Sequence, residues 1–141
     1  MSKIMSVDYG DKRTGLAISD VNGFLASPLS TINEISMKKV VLEVINKAKE
    51  NSVNKIIVGY PKNMNGSIGV RALKTEKFAK LISEQSGIEV VLWDERSTTI
   101  SAHNIFNETK TFRQKRKENI DVLAATIILQ SYLDGKKKNG Q

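Results

Sequence analysis

Four carboxylates in this 141-residue chain sit at the ends of apolar runs or inside one. Asp8 closes the run Ile4, Met5, Val7, just ahead of a polar turn bracketed by Gly10 and Gly15. Asp94 and Glu95 follow directly on the run Ile88 to Trp93. Asp121 interrupts an apolar stretch, with Ile120, Val122 and Leu123 as neighbours. An acid at the mouth of a buried strand costs several kcal/mol to hold unpaired, so each needs a cation, a donor or open solvent. Hard oxygen ligands of this kind suit Mg²⁺ or Mn²⁺, which take few protein carboxylates and leave room for water and phosphate. Two such ions about 4 Å apart activate water and stabilise the leaving oxygen in phosphodiester hydrolysis. Each acid also has an ordinary reading. Asp8 can bond its own turn backbone, as Asp often does. Asp94 and Glu95 can pair with Arg96 at a solvated strand end. Asp121, in a first helical turn, complements the helix dipole by about 0.3–1 kcal/mol. What sets the functional reading apart is joint delivery to one place.

The elements that must do the delivering can be read in order. Lys3 to Gly15 reads as strand, glycine-rich turn and second strand, which continues through Leu16 to Ile18 and ends near Ser19-Asp20. Asn22-Gly23 is a hairpin turn signal, so Phe24 to Ile32 is expected as a third strand. Pro28 inside it argues for a sheet edge, where a missing amide donor is tolerable. Ser36 is a candidate N-cap for a helix ending near Asn51, with Met37, Val40, Val41, Val44, Ile45 and Ala48 on one stripe. Lys55 to Gly59 reads as a buried parallel strand, and Tyr60 to Gly69 as a polar loop at its carboxyl end. A helix from about Val70 to Ser86 is expected to bury Leu73, Phe78, Leu81 and Ile82, with Gly87 stopping it. Ile88 to Trp93 is a further apolar strand. A helix capped by Ser97 or Thr98 then runs to about Asn107, and Lys110 to Lys117 forms a basic loop. The last helix, Asn119 to Leu133, is apolar nearly all round. Residues 1–135 make a single domain, and Lys136 begins a basic tail, 136–141, expected to be disordered. Three strands and then alternating helices and strands make an α/β protein, a mixed sheet with helices on its faces. Ligands bind such sheets beyond the carboxyl ends of the parallel strands, and Asp8, the loop after Gly59 and Asp94-Glu95 all belong there.

Composition narrows the partners. With no cysteine, disulfides and cysteine zinc sites are excluded and a reducing cytosol suits the chain. No apolar run approaches the roughly 20 residues that span a bilayer, and no signal-like stretch precedes the first strand, so neither membrane insertion nor export is expected. Lys and Arg number 22 against 15 Asp and Glu, a formal charge of +7. That balance favours polyanions, nucleic acid before membrane, since no basic amphipathic helix with an aromatic face is present.

Asp8-Tyr9-Gly10 with Arg13-Thr14-Gly15, then Ala26-Ser27-Pro28-Leu29, resembles the start of the YqgF family, also called RuvX. The likeness continues through Ile57-Val58-Gly59-Tyr60-Pro61-Lys62-Asn63-Met64-Asn65-Gly66 and Asp94-Glu95-Arg96-Ser97-Thr98-Thr99. It ends with Asp121, Ala124-Ala125 and Leu129-Gln130-Ser131-Tyr132-Leu133, and so covers the whole domain in order. The resemblance implies a ribonuclease H-like fold, a five-stranded mixed sheet with its first three strands antiparallel, flanked by helices. Family members are bacterial and cytoplasmic. They are described as Holliday junction resolvases by fold analogy, and as nucleases maturing the 5′ end of the small-subunit ribosomal RNA precursor. The family's acidic triad falls on Asp8, Glu95 and Asp121. The acid that the junction-resolvase cousins carry on the fourth strand is absent, Gly59 and Tyr60 occupying that region, and Glu95 looks like its replacement. Family pattern prefers Glu95, while the strand's pleat leaves Asp94 open as its substitute.

The resulting reading is a nuclease using Mg²⁺ or Mn²⁺, with Asp8 bridging two ions, Glu95 and Asp121 completing the ligand set, and water attacking in line at phosphorus. Lys12 and Arg13, Lys62, Asn63 and Asn65, Arg96, and Arg113, Lys115 and Arg116 lie in segments reaching the acid edge, where they would hold phosphates with little sequence preference. Structured RNA is the expected substrate and a four-way DNA junction the alternative; resolution of a junction requires a symmetric dimer, whereas the RNA reading accommodates a monomer or a homodimer. A non-catalytic RNA-binding assembly factor is the rival outside the enzymes. A sugar-kinase or actin-like ATPase would need a second, similar domain. His103, the one histidine, is assigned no role.

Overall fold

The computed structural model describes residues 3–61, 68–95 and 120–138. β1 (Lys3–Asp8) and β2 (Arg13–Ser19) form the expected antiparallel hairpin, with Asp8 opposite Gly15. The turn between them has no space for a side chain at Gly10, where a Cβ would lie 2.3 Å from the Arg13 carbonyl oxygen.

β3 (Ala26–Asn33) starts two residues later than expected. The reason is Asp20, whose carboxylate accepts the backbone N–H groups of Phe24 at 2.8 Å and Leu25 at 3.2 Å. That turn keeps those residues out of the ladder, and Gly23 takes the left-handed conformation at φ 74°. β3 is an edge strand, and the register slips where Pro28 faces Ala17. The bonds to Leu25 and Phe24 hold the Asp20 carboxyl below the usual carboxylate range. A folded-state pKa below the unfolded value stabilises the fold fully above about pH 3.9 and fades as pH falls through the folded value. Asp20→Ala is therefore expected to melt lower than wild type at neutral pH, with the gap closing on acidification. Melting curves at stepped pH check this, and a gap that persists in acid would count against the turn bonds as its cause.

α1 (Met37–Glu50) is capped by Ser36, which accepts the Lys39 N–H at 3.4 Å, and buries Val40, Val41, Val44, Ile45 and Ala48. β4 (Val53–Tyr60), α2 (Val70–Ser86) and β5 (Glu89–Asp94) follow. Gly87 ends α2 at φ 73°, a conformation glycine adopts without strain. The face of α2 that packs inward carries Ala72, Thr75, Phe78, Ala79 and Ile82. Leu73 lies off that i, i+3, i+4 stripe and is 58% exposed, contrary to the sequence expectation. The last described helix, α3 (Ile120–Lys138), runs past Leu133, so positions 136–138, expected in a disordered tail, are helical. Gly135 does not stop it because the glycine lies against the indole of Trp93, where a Cβ would come within 3.3 Å of the ring.

The sheet order is β3-β2-β1-β4-β5, with β1, β4 and β5 mutually parallel. α1 and α2 cover one face over Met5, Val7, Tyr9, Ile56 and Val58. α3 covers the other over Ile4, Ala17 and Ile57. This is the mixed, helix-flanked sheet that the sequence predicts, and its central parallel strands end together.

Candidate active site

Strand pleating decides which side chains share a face. On β1, Ile4 packs beneath α3 and Ser6 donates from Oγ to the Ala125 carbonyl at 2.6 Å, so Asp8 belongs to the α3 face. On β5, Val91 and Trp93 pack toward α3 while Val90 packs toward α1 and α2. Glu95 therefore continues the α3 face and Asp94 the opposite one. The Trp93 indole fastens that strand, donating to Ser131 Oγ at 3.2 Å and meeting Tyr132 edge-on with centroids 5.3 Å apart.

Glu95 then folds back over the end of β4. A Cβ on Gly59 would lie 2.9 Å from Glu95 Oε1 and 2.6 Å from Ile128 Cδ1, so the absent side chain is what admits the carboxyl. There the Glu95 carboxyl hydrogen-bonds that of Asp8. Burial pushes Glu95 above the usual carboxylate range; the Arg71 charge and the bond to Asp8 draw it down, and Asp94 raises it. Two carboxyl groups this close cannot both be ionised without a cation between them. All-oxygen donors of this hardness fit Mg²⁺ or Mn²⁺ rather than a softer metal.

Asp121 is placed by the backbone alone. α3 runs antiparallel to β1, since Ala125 meets Ser6 whereas Leu129 and Leu133 cluster with Ile4. Four helical residues back from Ala125 rise about 6 Å, and two strand residues on from Ser6 rise about 6.6 Å. Position 121 thus comes level with Asp8. Among the described residues, no group of three or more His, Cys, Asp or Glu side chains is placed to hold a metal ion.

Lys12 and Arg13 are exposed at the same edge, in the turn that follows Asp8 and at the start of β2. Lys62, Asn63, Asn65, Arg96, Arg113, Lys115 and Arg116 lie outside the described residues, as do His103, the helix to Asn107 and the loop from Lys110 to Lys117. Two features of the edge went unread in the sequence. Arg71, in the first turn of α2, donates from Nη2 to the Tyr9 carbonyl at 3.2 Å. The Tyr60 phenol, at the end of β4, donates to the Glu76 carboxylate and ties that strand to α2. A signal for Arg71 was available: a cation in a helical first turn opposes the dipole.

The chain matches the RuvX family, described as Holliday junction resolvase, over residues 2–135. A protein of Clostridioides difficile named "Putative pre-16S rRNA nuclease" is 47% identical over 134 residues, covering 95% of each chain. One of the same name from Ruminiclostridium cellulolyticum is 45% identical over 141 residues, covering 97% of this chain and 99% of its own. Among solved structures, Thermus thermophilus RuvC in complex with a Holliday junction substrate superposes with a TM-score of 0.69 at 9% identity, covering 98% of this chain and 97% of its own. The fowlpox virus resolvase with Holliday junction DNA gives 0.59 at 15% identity, covering 95% and 98%. At those identities the likeness is one of fold, the ribonuclease H-like arrangement.

Proposed function

This chain belongs to the RuvX family, and on that premise we propose that it is a divalent-metal-dependent nuclease maturing the 5′ end of the small-subunit (16S) ribosomal RNA precursor. It is a hydrolase of phosphodiester bonds and binds nucleic acid. The observation that carries the reading is the meeting of Asp8 and Glu95, from different strands, at the carboxyl edge of the parallel sheet. With Asp121 they would hold Mg²⁺ or Mn²⁺; Asp94, on the other face, is the weaker substitute for Glu95. A divalent ion bound there supplies charge neutralisation at the scissile phosphate and eases ionisation of the attacking water. Asp8 and Glu95 themselves do two things: they fix the reacting edge between β1, β4 and β5, and they give a proton-accepting surface next to the phosphate. Lys12 and Arg13 would draw the backbone of the nucleic acid to that edge, joined by Lys62, Asn63, Asn65, Arg96, Arg113, Lys115 and Arg116. No helix of the described residues is long and apolar enough to cross a membrane. The proposed substrate would place its action in the cytoplasm, beside the assembling ribosome.

The test sets labelled precursor RNA beside a four-way DNA junction, each with Mg²⁺, Mn²⁺ or EDTA. RNA cleavage abolished by EDTA is expected. Paired nicks in the junction with RNA untouched would move the reading to a dimeric resolvase. RNA binding with neither substrate cut would leave a non-catalytic assembly factor.

A further inference from the structure

Arg71 is costly where it stands. It places a positive charge in the first turn of α2, against the helix dipole, at an end whose Gly69 provides no side-chain cap and whose first turn holds no acid. Arginine is a good helix former, but nothing in that first turn offsets its charge, so the reason for a cation there is sought in the tertiary surroundings. The guanidinium is fastened to the carbonyl of Tyr9, the residue after Asp8, at 3.2 Å. Its charge also bears on Glu95, favouring the ionised carboxylate. The side chain is nevertheless exposed. An arginine carries five N–H donors in a planar fork, and the bond to Tyr9 engages one of them. Of the other cations that flank this edge in the described residues, Lys74 is paired with Asp11 at 3.4 Å.

We propose that Arg71 is a substrate-binding residue whose guanidinium, anchored on the Tyr9 carbonyl, takes a phosphate of the nucleic-acid strand lying across Asp8 and Glu95. The proposal rests on the nuclease reading above. The planar fork matches phosphate geometry with two parallel hydrogen bonds. Anchoring one nitrogen on backbone narrows the rotamers available before binding, so less freedom is lost when the phosphate arrives. Among the described residues this exposed arginine is fastened to one backbone carbonyl, a contact that adds little to stability, and contact with a phosphate is a role that repays its position.

The experiment measures equilibrium binding of labelled precursor RNA in EDTA, where cleavage is off, across a series of salt concentrations. Arg71→Gln is expected to weaken binding about tenfold at fixed salt, the loss of one charge-assisted contact. It should also flatten the slope of log affinity against log salt by about 0.7–0.9, one phosphate contact. Arg71→Lys should keep the wild-type slope and recover part of the affinity, and both variants should melt like wild type. An Arg71→Gln protein with wild-type affinity and slope, even if slow at cleavage, would overturn the proposal in favour of a purely structural role. Wild-type protein that binds RNA without any salt slope would instead remove the nuclease reading and this proposal with it.

Discussion

Asp8→Asn is expected to lower RNA cleavage by about 10³-fold or more while leaving the fold and RNA binding in place. The substitution keeps the shape of the side chain and removes one charge at the point where the two carboxyl groups meet. Stabilisation of transition-state charge by a bound ion amounts to several kcal/mol, and each 1.36 kcal/mol is about tenfold in rate. Stability separates this from a folding defect. Without metal, wild type keeps the two carboxyl groups together only by holding a proton between them, so in EDTA the variant, which needs no such protonation, is expected to melt no lower than wild type. Adding Mg²⁺ at about ten times its dissociation constant should stabilise wild type by about 1.4 kcal/mol and the variant far less. Cleavage near the wild-type rate, or an equal rise in melting temperature with Mg²⁺, would show that Asp8 holds no ion.

Gly59→Ala carries the second large effect, and it arises from space rather than charge. The added Cβ would lie 2.6 Å from Ile128 Cδ1 and 2.9 Å from Glu95 Oε1. Ile128 is 3% exposed in the packed seam of α3 and has little room to yield. Overpacking of that kind costs about 1–3 kcal/mol. Glu95, half-buried at the end of β5, has the more adaptable side chain, yields more easily and is pushed off Asp8. A misplacement of about 1 Å at a reacting centre costs on the order of 10²-fold in rate. Activity should therefore fall further than the loss of stability predicts, and Mg²⁺ should stabilise the variant less than wild type. Wild-type activity in a destabilised Gly59→Ala protein would mean that Glu95 does not need this position. The same geometry makes two arrangements mutually exclusive: a side chain at position 59 and a carboxyl from position 95 cannot share that space.

Much of the framework was legible because it depends on local pattern. The boundaries of α2 follow from a helical stretch closed by Gly87, and those of α1 from Ser36 and one apolar stripe. Pro28 marked an edge strand because a proline cannot donate to a ladder on both sides. The misplaced details have equally local causes. Phe24 and Leu25 look like strand residues, yet the Asp20 carboxylate claims their amides. Leu73 is apolar but one position off the packed stripe. Gly135 looks like a helix end, yet its missing side chain gives Trp93 a place to lie.

By itself the sequence determined the element order of the described residues, the mixed sheet and the gathering of Asp8 and Asp94-Glu95 at one edge, since strand direction and apolar periodicity leave few other arrangements. Only the tertiary structure decided that Glu95 rather than Asp94 meets Asp8. β5 is apolar on both faces, so its own pattern does not say which face lies toward α3; that is settled by Trp93 against Ser131 and by the space above Gly59. Arg71 likewise acquires its meaning from Tyr9, 62 residues away in the chain. Local rules describe what a residue prefers, whereas the site is made of contacts between residues distant in sequence, which only the packed sheet brings within reach.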